Sequence, residues 1–157
     1  MKNWIKLVVS IVLPQLAGLA GALFTQTGES SWFQSLAKPD WNPPSWLFGP
    51  VWTTLYIMMG IAFYLVWKSG ADEKIKRPAM LMWVVQLIFN AAWSFIFFGA
   101  QRMGLAFAEI IVMWLLILIT IFLFARVNKT AAWLLVPYIS WVSFAAILNY
   151  TIWQMNT

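Results

Sequence analysis

The side chains best able to do chemistry in this chain recur at helical spacing inside apolar stretches. One stripe consists of Gln86, Asn90, Trp93 and Phe97. Spacings of four, three and four residues place these side chains on one face of a helix. Two similar stripes are Trp52, Tyr56, Met59 and Phe63, and Tyr138, Trp141, Ala145 and Leu148. Such faces predict aromatic walls that enclose a flat apolar ligand, with a few polar groups as anchors.

The same stripes have a purely structural interpretation, which the sequence leaves open. The deep tryptophans Trp52, Trp93 and Trp141 are as well suited to packing between helices as to ligand contact. Gln86 and Asn90 are as well suited to hydrogen bonds between helices. Tryptophans near the ends of apolar stretches are assigned to the aromatic belt at the membrane surface, and they are Trp4, Trp46, Trp67, Trp133 and Trp153.

The chain is poor in the groups that most enzymes use. It contains no cysteine and no histidine, which excludes disulfides, thiolate zinc sites, cysteine nucleophiles and histidine bases. Glu109 is the only carboxylate well inside an apolar stretch, so no acid–base pair is expected there. An ion pair of Glu109 with Arg102 is favoured over titration or ligand contact. Enzymatic activity is therefore not expected, apart from electron donation by Trp52 or Trp141 to a photoexcited pigment.

The composition indicates which elements must position these residues. The 157 residues are 62% hydrophobic and 10% charged, with a mean hydropathy of +0.78. These values are typical of a membrane protein and far from those of a soluble domain. The net charge of +5 is explained by the basic loops of a membrane protein, so no nucleic-acid partner is inferred.

Five apolar windows are each long enough to cross a hydrocarbon core about 30 Å thick as a helix. They are residues 4–24, 46–67, 78–100, 103–125 and 131–155. The predicted fold is an all-α bundle of five transmembrane helices in a lipid bilayer, with residues 1–157 forming one domain. Short loops favour antiparallel neighbours, and the absence of internal repeats argues against a rocking transporter.

The distribution of basic residues predicts the orientation. Eight lie at the end that holds the N-terminus, and they are Lys2, Lys6, Lys68, Lys74, Lys76, Arg77, Arg126 and Lys129. Lys38 and Arg102 lie at the other end. The positive-inside rule then places the N-terminus in the cytoplasm. Since no targeting extension is recognisable, a bacterial cell membrane is expected.

The loop between the first two spans, residues 25–45, is about twice as long as a tight connection between helices needs to be. Pro39, Pro43 and Pro44 fix φ and exclude a regular helix, which makes the path of the chain stiff. Phe33 and Trp41 can then be held against the mouth of the bundle. The loop is predicted to be a rigid aromatic lid.

The first span carries small residues at a spacing of four. Ala17 pairs with Gly21 and Gly18 pairs with Ala22, a pattern that lets two helix backbones approach closely. Close helix packing or a dimer contact is favoured over a role as the floor of a pocket.

Several longer motifs together make the chain resemble the translocator protein family, also called tryptophan-rich sensory proteins or peripheral-type benzodiazepine receptors. The motifs are W-F-x-x-L-x-K-P-x-W-x-P-P at 32–44, G-P-V-W-T-T-L-Y at 49–56, L-I-F-N-A-A-W at 87–93, F-F-G-A-Q-R-M at 97–103 and P-Y-I-S-W-x-x-F-A-A-I-L-N-Y at 137–150. The resemblance implies five transmembrane helices and a homodimer, with helix one as a candidate interface. It also implies a pocket under the first loop for protoporphyrin IX, a haem-like tetrapyrrole, or isoquinoline and benzodiazepine ligands.

The resemblance also implies particular ligand-binding residues. Trp52 and Asn90 match the pair that flanks or hydrogen-bonds a drug-like ligand, and Trp93 matches a further wall. Trp141 and Ala145 match residues of the fifth span, and Trp141 matches a tryptophan linked to light-dependent porphyrin breakdown. Further candidates from the lid and the fifth span are Phe33, Trp41, Pro43 and Leu148.

The expected function is binding and sensing of a tetrapyrrole. Transport of porphyrins or sterols and light-dependent degradation of porphyrin are the alternatives. The sterol (cholesterol) motif of animal relatives is incomplete here, because Leu148 and Tyr150 are present but Gln154 stands where a basic residue is required. This departure argues against sterol recognition. No metal or required cofactor is expected.

Overall fold

The computed structural model describes residues 2–157, which contain helices and no β-strand. The helices of this range are α1 (Asn3–Ala22), α2 (Trp32–Ser35), α3 (Ser45–Trp67), α4 (Glu73–Ser94), α5 (Met103–Ala125), α6 (Lys129–Leu134) and α7 (Val136–Met155). A π-helical turn, Phe95–Gly99, continues α4. Five segments of the described chain are long and apolar enough to cross a membrane, namely α1, α3, α4 with its π turn, α5, and α6 with α7. The prediction of a five-helix bundle is confirmed.

The third span starts earlier than its apolar window. It begins at Glu73, whereas the window began at Pro78. The side chain of Asp72 caps the helix by accepting a hydrogen bond of 2.9 Å from the backbone N–H of Lys74. The first turn is charged and so lies outside any hydropathy window, although it is helical. The other span ends lie within two residues of the predicted ones.

The fifth span is divided into two helices at Leu135. Its start is set by Asn128, whose side-chain oxygen accepts a 3.0 Å hydrogen bond from the N–H of Ala131. Pro137 lies two residues after the break. Proline has no backbone N–H and disfavours α conformation in the residue before it, so a continuous helix is interrupted there.

Helices α1 and α3 approach closely at Gly60. A β-carbon at Gly60 would lie 2.6 Å from the carbonyl oxygen of Ser10 and 2.7 Å from the Cα of Ile11. Pro14, four residues after Ser10, cannot donate the helical hydrogen bond that the Ser10 carbonyl would otherwise accept. A hydrogen of the Gly60 Cα therefore points at a carbonyl without its usual partner, a weak but recurrent type of contact between helices.

The basic end and the middle of the bundle are filled by large side chains. Met59 and Val66 of α3, Trp83 of α4, Phe124 of α5 and Tyr138 of α7 are completely buried. They belong to one continuous apolar cluster that joins these helices. Towards the end of the bundle that carries the first loop, this packing gives way to a cavity.

That loop covers its end of the bundle, as predicted for the lid. Phe33, in α2, is 4% exposed and packs on Phe97 and Phe98 of the π turn, with ring centroids 6.3 and 5.5 Å away. The ammonium group of Lys38 donates to three backbone carbonyls around the end of α2, at 2.7 to 3.2 Å. Lys38 therefore has a structural reason to lie at the end that is poor in basic residues.

Candidate functional site

A cavity of about 260 Å³ lies beneath the lid. Four of the membrane-spanning helices and the lid contribute to its wall, and α5 does not. Its principal lining residues are Gly18, Gly21 and Ala22 of α1, Phe33 of the lid, Phe48, Trp52 and Tyr56 of α3, Trp93, Phe97 and Phe98 of α4 and its π turn, and Trp141, Ala145, Leu148 and Asn149 of α7. The position agrees with the prediction of a pocket where the second, third and fifth spans meet.

Six of the nine candidate ligand residues line this cavity, and they are Phe33, Trp52, Trp93, Trp141, Ala145 and Leu148. Three do not. Trp41 is half exposed and packs against Phe144, with ring centroids 5.9 Å apart. Pro43 lies in the lid without reaching the cavity wall.

Asn90 is the third candidate that does not line the cavity, and its side chain is hydrogen-bonded beneath the cavity floor. Its side-chain oxygen accepts a 2.7 Å hydrogen bond from the hydroxyl of Tyr56, and its NH₂ group donates to the hydroxyl of Tyr138 at 3.0 Å. The Tyr138 hydroxyl donates in turn to Gln86 at 2.7 Å. This buried chain joins α3, α4 and α7, so Asn90 acts as the hydrogen-bonding link between helices. It fixes Tyr56, which does line the cavity.

A second polar link lies in the wall itself. The indole N–H of Trp93 donates to the side-chain oxygen of Asn149 at 3.1 Å. The NH₂ group of Asn149 donates to the backbone carbonyl of Met103 at 3.0 Å. The ring of Trp93 is thus held by α7 and by the start of α5. Asn149 was not among the predicted site residues, although it lies in the L-N-Y part of the fifth-span motif.

The π turn at Phe95–Gly99 is a further part of the site that the sequence does not predict. Its wider winding presents Phe97 and Phe98 together to the cavity and the lid. Phe97 is stacked on Trp93 with ring centroids 5.0 Å apart. Such turns are frequent at functional sites, yet they leave no clear mark in a single sequence.

One hydrogen-bond donor of the wall is unused. The indole nitrogen of Trp141 is buried and has no hydrogen-bond partner among residues 2–157. A buried donor without a partner is unfavourable by about 1–3 kcal/mol. A ligand that brings a carbonyl or another acceptor to this nitrogen would remove that penalty. Trp141 therefore has the properties of an anchoring residue as well as those of an aromatic wall.

The cavity wall has no charged side chain among the described residues. Trp52 is stacked on Tyr56 at 5.4 Å between ring centroids, and Phe48 meets Trp141 edge-on at 6.0 Å. Such a wall favours flat, apolar, polarisable molecules over ions. No group of three or more metal-ligating side chains occurs between Lys2 and Thr157.

The predicted ion pair of Glu109 with Arg102 is wrong. Both carboxylate oxygens of Glu109 are buried and have no hydrogen-bond partner within the described chain. Arg102 precedes α5 and has non-helical backbone angles, with φ −103° and ψ 73°. Its side chain therefore does not continue the helical stripe on which the pairing was based. Glu109 does not line the cavity.

The small residues of the first span serve the interior of the bundle. A β-carbon at Gly18 would lie 2.4 Å from the ring of Tyr56, and one at Gly21 would lie 3.2 Å from the hydroxyl of Ser94. Both glycines line the cavity. These glycines therefore form part of the pocket wall, the role that their spacing favours less, and they also allow close packing inside the chain.

The lid is fastened to the end of α7 by a pair of hydrogen bonds. The amide group of Asn156 accepts from the backbone N–H of Ala37 at 2.9 Å and donates to the carbonyl of the same residue at 2.9 Å. This arrangement resembles one rung of a β-ladder. It connects two parts of the chain that are 119 residues apart.

Replacing Asn156 by alanine is expected to loosen the lid. Two hydrogen bonds of ~1 kcal/mol each would be lost, so the opening equilibrium should rise about thirtyfold. Hydrogen exchange measured by mass spectrometry should show faster exchange of the lid amides around Ala37. Thr157→Ala is the matched control, because the Thr157 hydroxyl bonds only to carbonyls of its own helix end. Unchanged lid exchange in Asn156→Ala would show that the pair does not hold the lid.

The family model and the related proteins that match this chain all point to one family. The sequence model of the TspO/MBR family matches residues 10–154. The chain is 43% identical to the tryptophan-rich protein TspO of Chlorobaculum tepidum over 155 residues, covering 99% of this chain and 98% of the relative. It is 38% identical to the translocator protein of Bos taurus over 154 residues, covering 98% and 91%. It is 39% identical to the translocator protein of Homo sapiens over 155 residues, covering 98% and 91%.

Proposed function

The chain belongs to the TspO/MBR family, and from that premise we propose that it binds and senses a tetrapyrrole in the cavity beneath the lid. The ligand class is protoporphyrin IX or a haem-like pigment, and benzodiazepine and isoquinoline compounds compete for the same space. One observation carries the proposal: the indole rings of Trp52, Trp93 and Trp141 come from three different helices and line one uncharged cavity.

The size of the cavity determines how such a ligand enters. A volume of about 260 Å³ is slightly smaller than the roughly 300–1,000 Å³ of typical small-molecule sites. A tetrapyrrole therefore requires the lid to move outwards as it binds. Its carboxylates are unfavourable inside an uncharged wall and point to the mouth, which offers water and the positive charge of Lys38, 4.9 Å from the ring centroid of Phe33.

The packed interior favours binding over passage through the bundle. Below the cavity, Met59 and Trp83 are completely buried and Phe63 is 4% exposed. The rings of Phe63 and Trp83 are 4.3 Å apart, so no channel of molecular width continues between them. A pigment held above this layer can be sensed through movement of the lid without being transported.

The orientation and the assembly are part of the same proposal. The excess of basic residues at the N-terminal end supports a cytoplasmic N-terminus, with the lid on the opposite side of the membrane. A bacterial cell membrane stays a prediction. A homodimer through α1 stays a prediction. Because Gly18 and Gly21 face the cavity, such a dimer would use the outer face of α1, where Val12 and Leu16 are exposed.

Titration of tryptophan fluorescence with protoporphyrin IX tests the binding proposal. Trp141→Phe keeps an aromatic ring but removes the unpartnered N–H, so affinity should fall about tenfold, the effect of losing one good hydrogen bond. Asn90→Ala should also weaken binding, by releasing Tyr56. Trp153→Phe is the control, because Trp153 packs on Phe107 and Tyr150 outside the cavity. Equal loss in all three variants would indicate nonspecific partition into the detergent micelle.

A further inference from the structure

A second cavity lies at the opposite, basic end of the bundle. It measures about 360 Å³ and is formed where the start of α1, the end of α3 and the start of α4 come together. Its lining residues are Lys6, Trp67, Glu73, Lys76, Arg77 and Met80. None of them lines the cavity under the lid. We call this second cavity the basic cleft.

The basic cleft has an excess of positive charge. It holds three cationic side chains and a single carboxylate, that of Glu73. Lys76 and Arg77 both contact this carboxylate, and Lys76 also donates to the carbonyl of Ser69 at 3.4 Å. Since the negative charge of Glu73 neutralises only one of the three positive charges, the cleft attracts an anion.

Two of the cations are placed to reach such an anion. The Lys6 ammonium lies 5.8 Å from the centroid of the Trp67 ring, and no carboxylate of the described chain lies within salt-bridge distance of it. The Arg77 side chain is 82% exposed and contacts Glu73 through Nε, at 3.5 Å. Its two outer nitrogens remain for an anion with paired oxygens, the geometry in which arginine binds phosphate.

The surroundings of the cations indicate which kind of molecule would carry such a phosphate group. The basic cleft lies at the ends of three membrane-spanning segments, which is the depth of the lipid headgroups. Its remaining walls, Trp67 and Met80, are apolar side chains that are partly buried against the core of the bundle. A tryptophan at this depth is typical of the membrane interface. Basic pockets between helices on the cytoplasmic side are known as sites for anionic headgroups.

We propose that the basic cleft binds the phosphate group of an anionic phospholipid, with Lys6 and Arg77 as the main contacts. The glycerol and the first part of the acyl chains lie against Trp67 and Met80. Lys76 is 11% exposed and is held by Glu73, so it shapes the cleft and adds to its field. The site is independent of the pigment cavity, and a lipid bound there holds the ends of α1, α3 and α4 together.

The test uses the full chain purified in a neutral detergent. Phosphatidylglycerol and phosphatidylcholine with identical short acyl chains are titrated separately, with tryptophan fluorescence and thermal unfolding as readouts. Wild type should bind phosphatidylglycerol about twenty-five-fold more tightly. In the double variant K6Q/R77Q this preference should nearly disappear, because each of the two cations that contact the headgroup contributes about fivefold. The double variant K68Q/K129Q loses the same charge at the same end outside the cleft and should keep the preference.

Two results would overturn the proposal. One is an equal loss of preference in both double variants, which would mean general attraction to a basic surface. The other is an equal response to inorganic phosphate or glycerol phosphate at the same concentrations, which would assign the cleft to a soluble phosphate compound. Arg77→Gln alone serves as a second variant, because so exposed a side chain can be replaced without disturbing the fold. It should lose about fivefold of the lipid preference.

Discussion

Replacing Ala145 by phenylalanine is expected to weaken protoporphyrin IX binding by about a hundredfold. Ala145 lines the cavity from α7, beside Trp141, and a phenyl ring there would occupy the space between the aromatic walls. The ligand could bind only by forcing the walls apart, and overfilling a packed site is unfavourable by about 1–3 kcal/mol. Quenching of tryptophan fluorescence in purified protein measures the affinity.

The matched control for this substitution is Ile147→Phe. Ile147 lies two residues further along α7 and is 61% exposed on the outer surface, so the same ring there should leave the affinity unchanged. The melting temperatures of both variants show whether a loss of affinity comes from a filled cavity or from a damaged fold. Wild-type affinity in a stably folded Ala145→Phe protein would place the ligand outside the cavity.

Gly60→Ala is expected to cause the largest loss of stability among single methyl additions to α3. The new β-carbon would meet backbone atoms of Ser10 and Ile11 at 2.6 and 2.7 Å, and backbone cannot rotate out of the way as a side chain can. Separating α1 from α3 should lower the free energy of unfolding by about 1–3 kcal/mol. This outweighs the gain of up to ~1 kcal/mol that alanine brings to a helix in place of glycine.

The control lies in the same helix. Gly49 has nothing within 4 Å of an added β-carbon, so Gly49→Ala should keep or slightly raise the melting temperature in detergent. The melting temperature of Gly60→Ala should fall clearly below that of wild type. Because α1 also forms one wall of the cavity, protoporphyrin IX affinity should fall with it. Two indistinguishable melting curves would contradict the close contact of α1 with α3.

The spans and the aromatic walls could be predicted because each depends on a local pattern. Hydropathy over about twenty residues is a property of one segment. The spacing of Trp52 and Tyr56, or of Trp141 and Ala145, fixes a shared helix face before any tertiary contact is known. Three such faces turned inwards form the observed cavity wall together with α1 and the lid. The cavity and the lid thus follow from periodicity and from the prolines of the loop.

The roles of single polar residues could not be predicted in the same way. Asn90 was equally compatible with a ligand contact and with a link between helices. Its role is set by Tyr56 and Tyr138, which lie 34 and 48 residues away in the sequence. Their hydroxyl groups form hydrogen bonds with the oxygen and the NH₂ group of its amide. Glu109 shows the same limit, because its supposed partner Arg102 leaves the helical path just before α5.

The first span shows a different kind of ambiguity. Small residues spaced by four allow a close approach to any helix, whether in the same chain or in a second copy. Only the position of the Tyr56 ring, 2.4 Å from where a β-carbon of Gly18 would be, assigns the pattern to the interior. The π turn has no comparable sequence signal, and neither has Gln101, whose φ is +55°.

The most direct test of the account is the electron density of the protein crystallised with protoporphyrin IX. The density should show a flat ligand under a displaced lid, in contact with Trp52 and with the Trp141 ring, whose nitrogen has gained a partner. The carboxylates of the ligand should lie at the mouth. An empty cavity, with the pigment on the lipid-facing surface of the bundle, would contradict it.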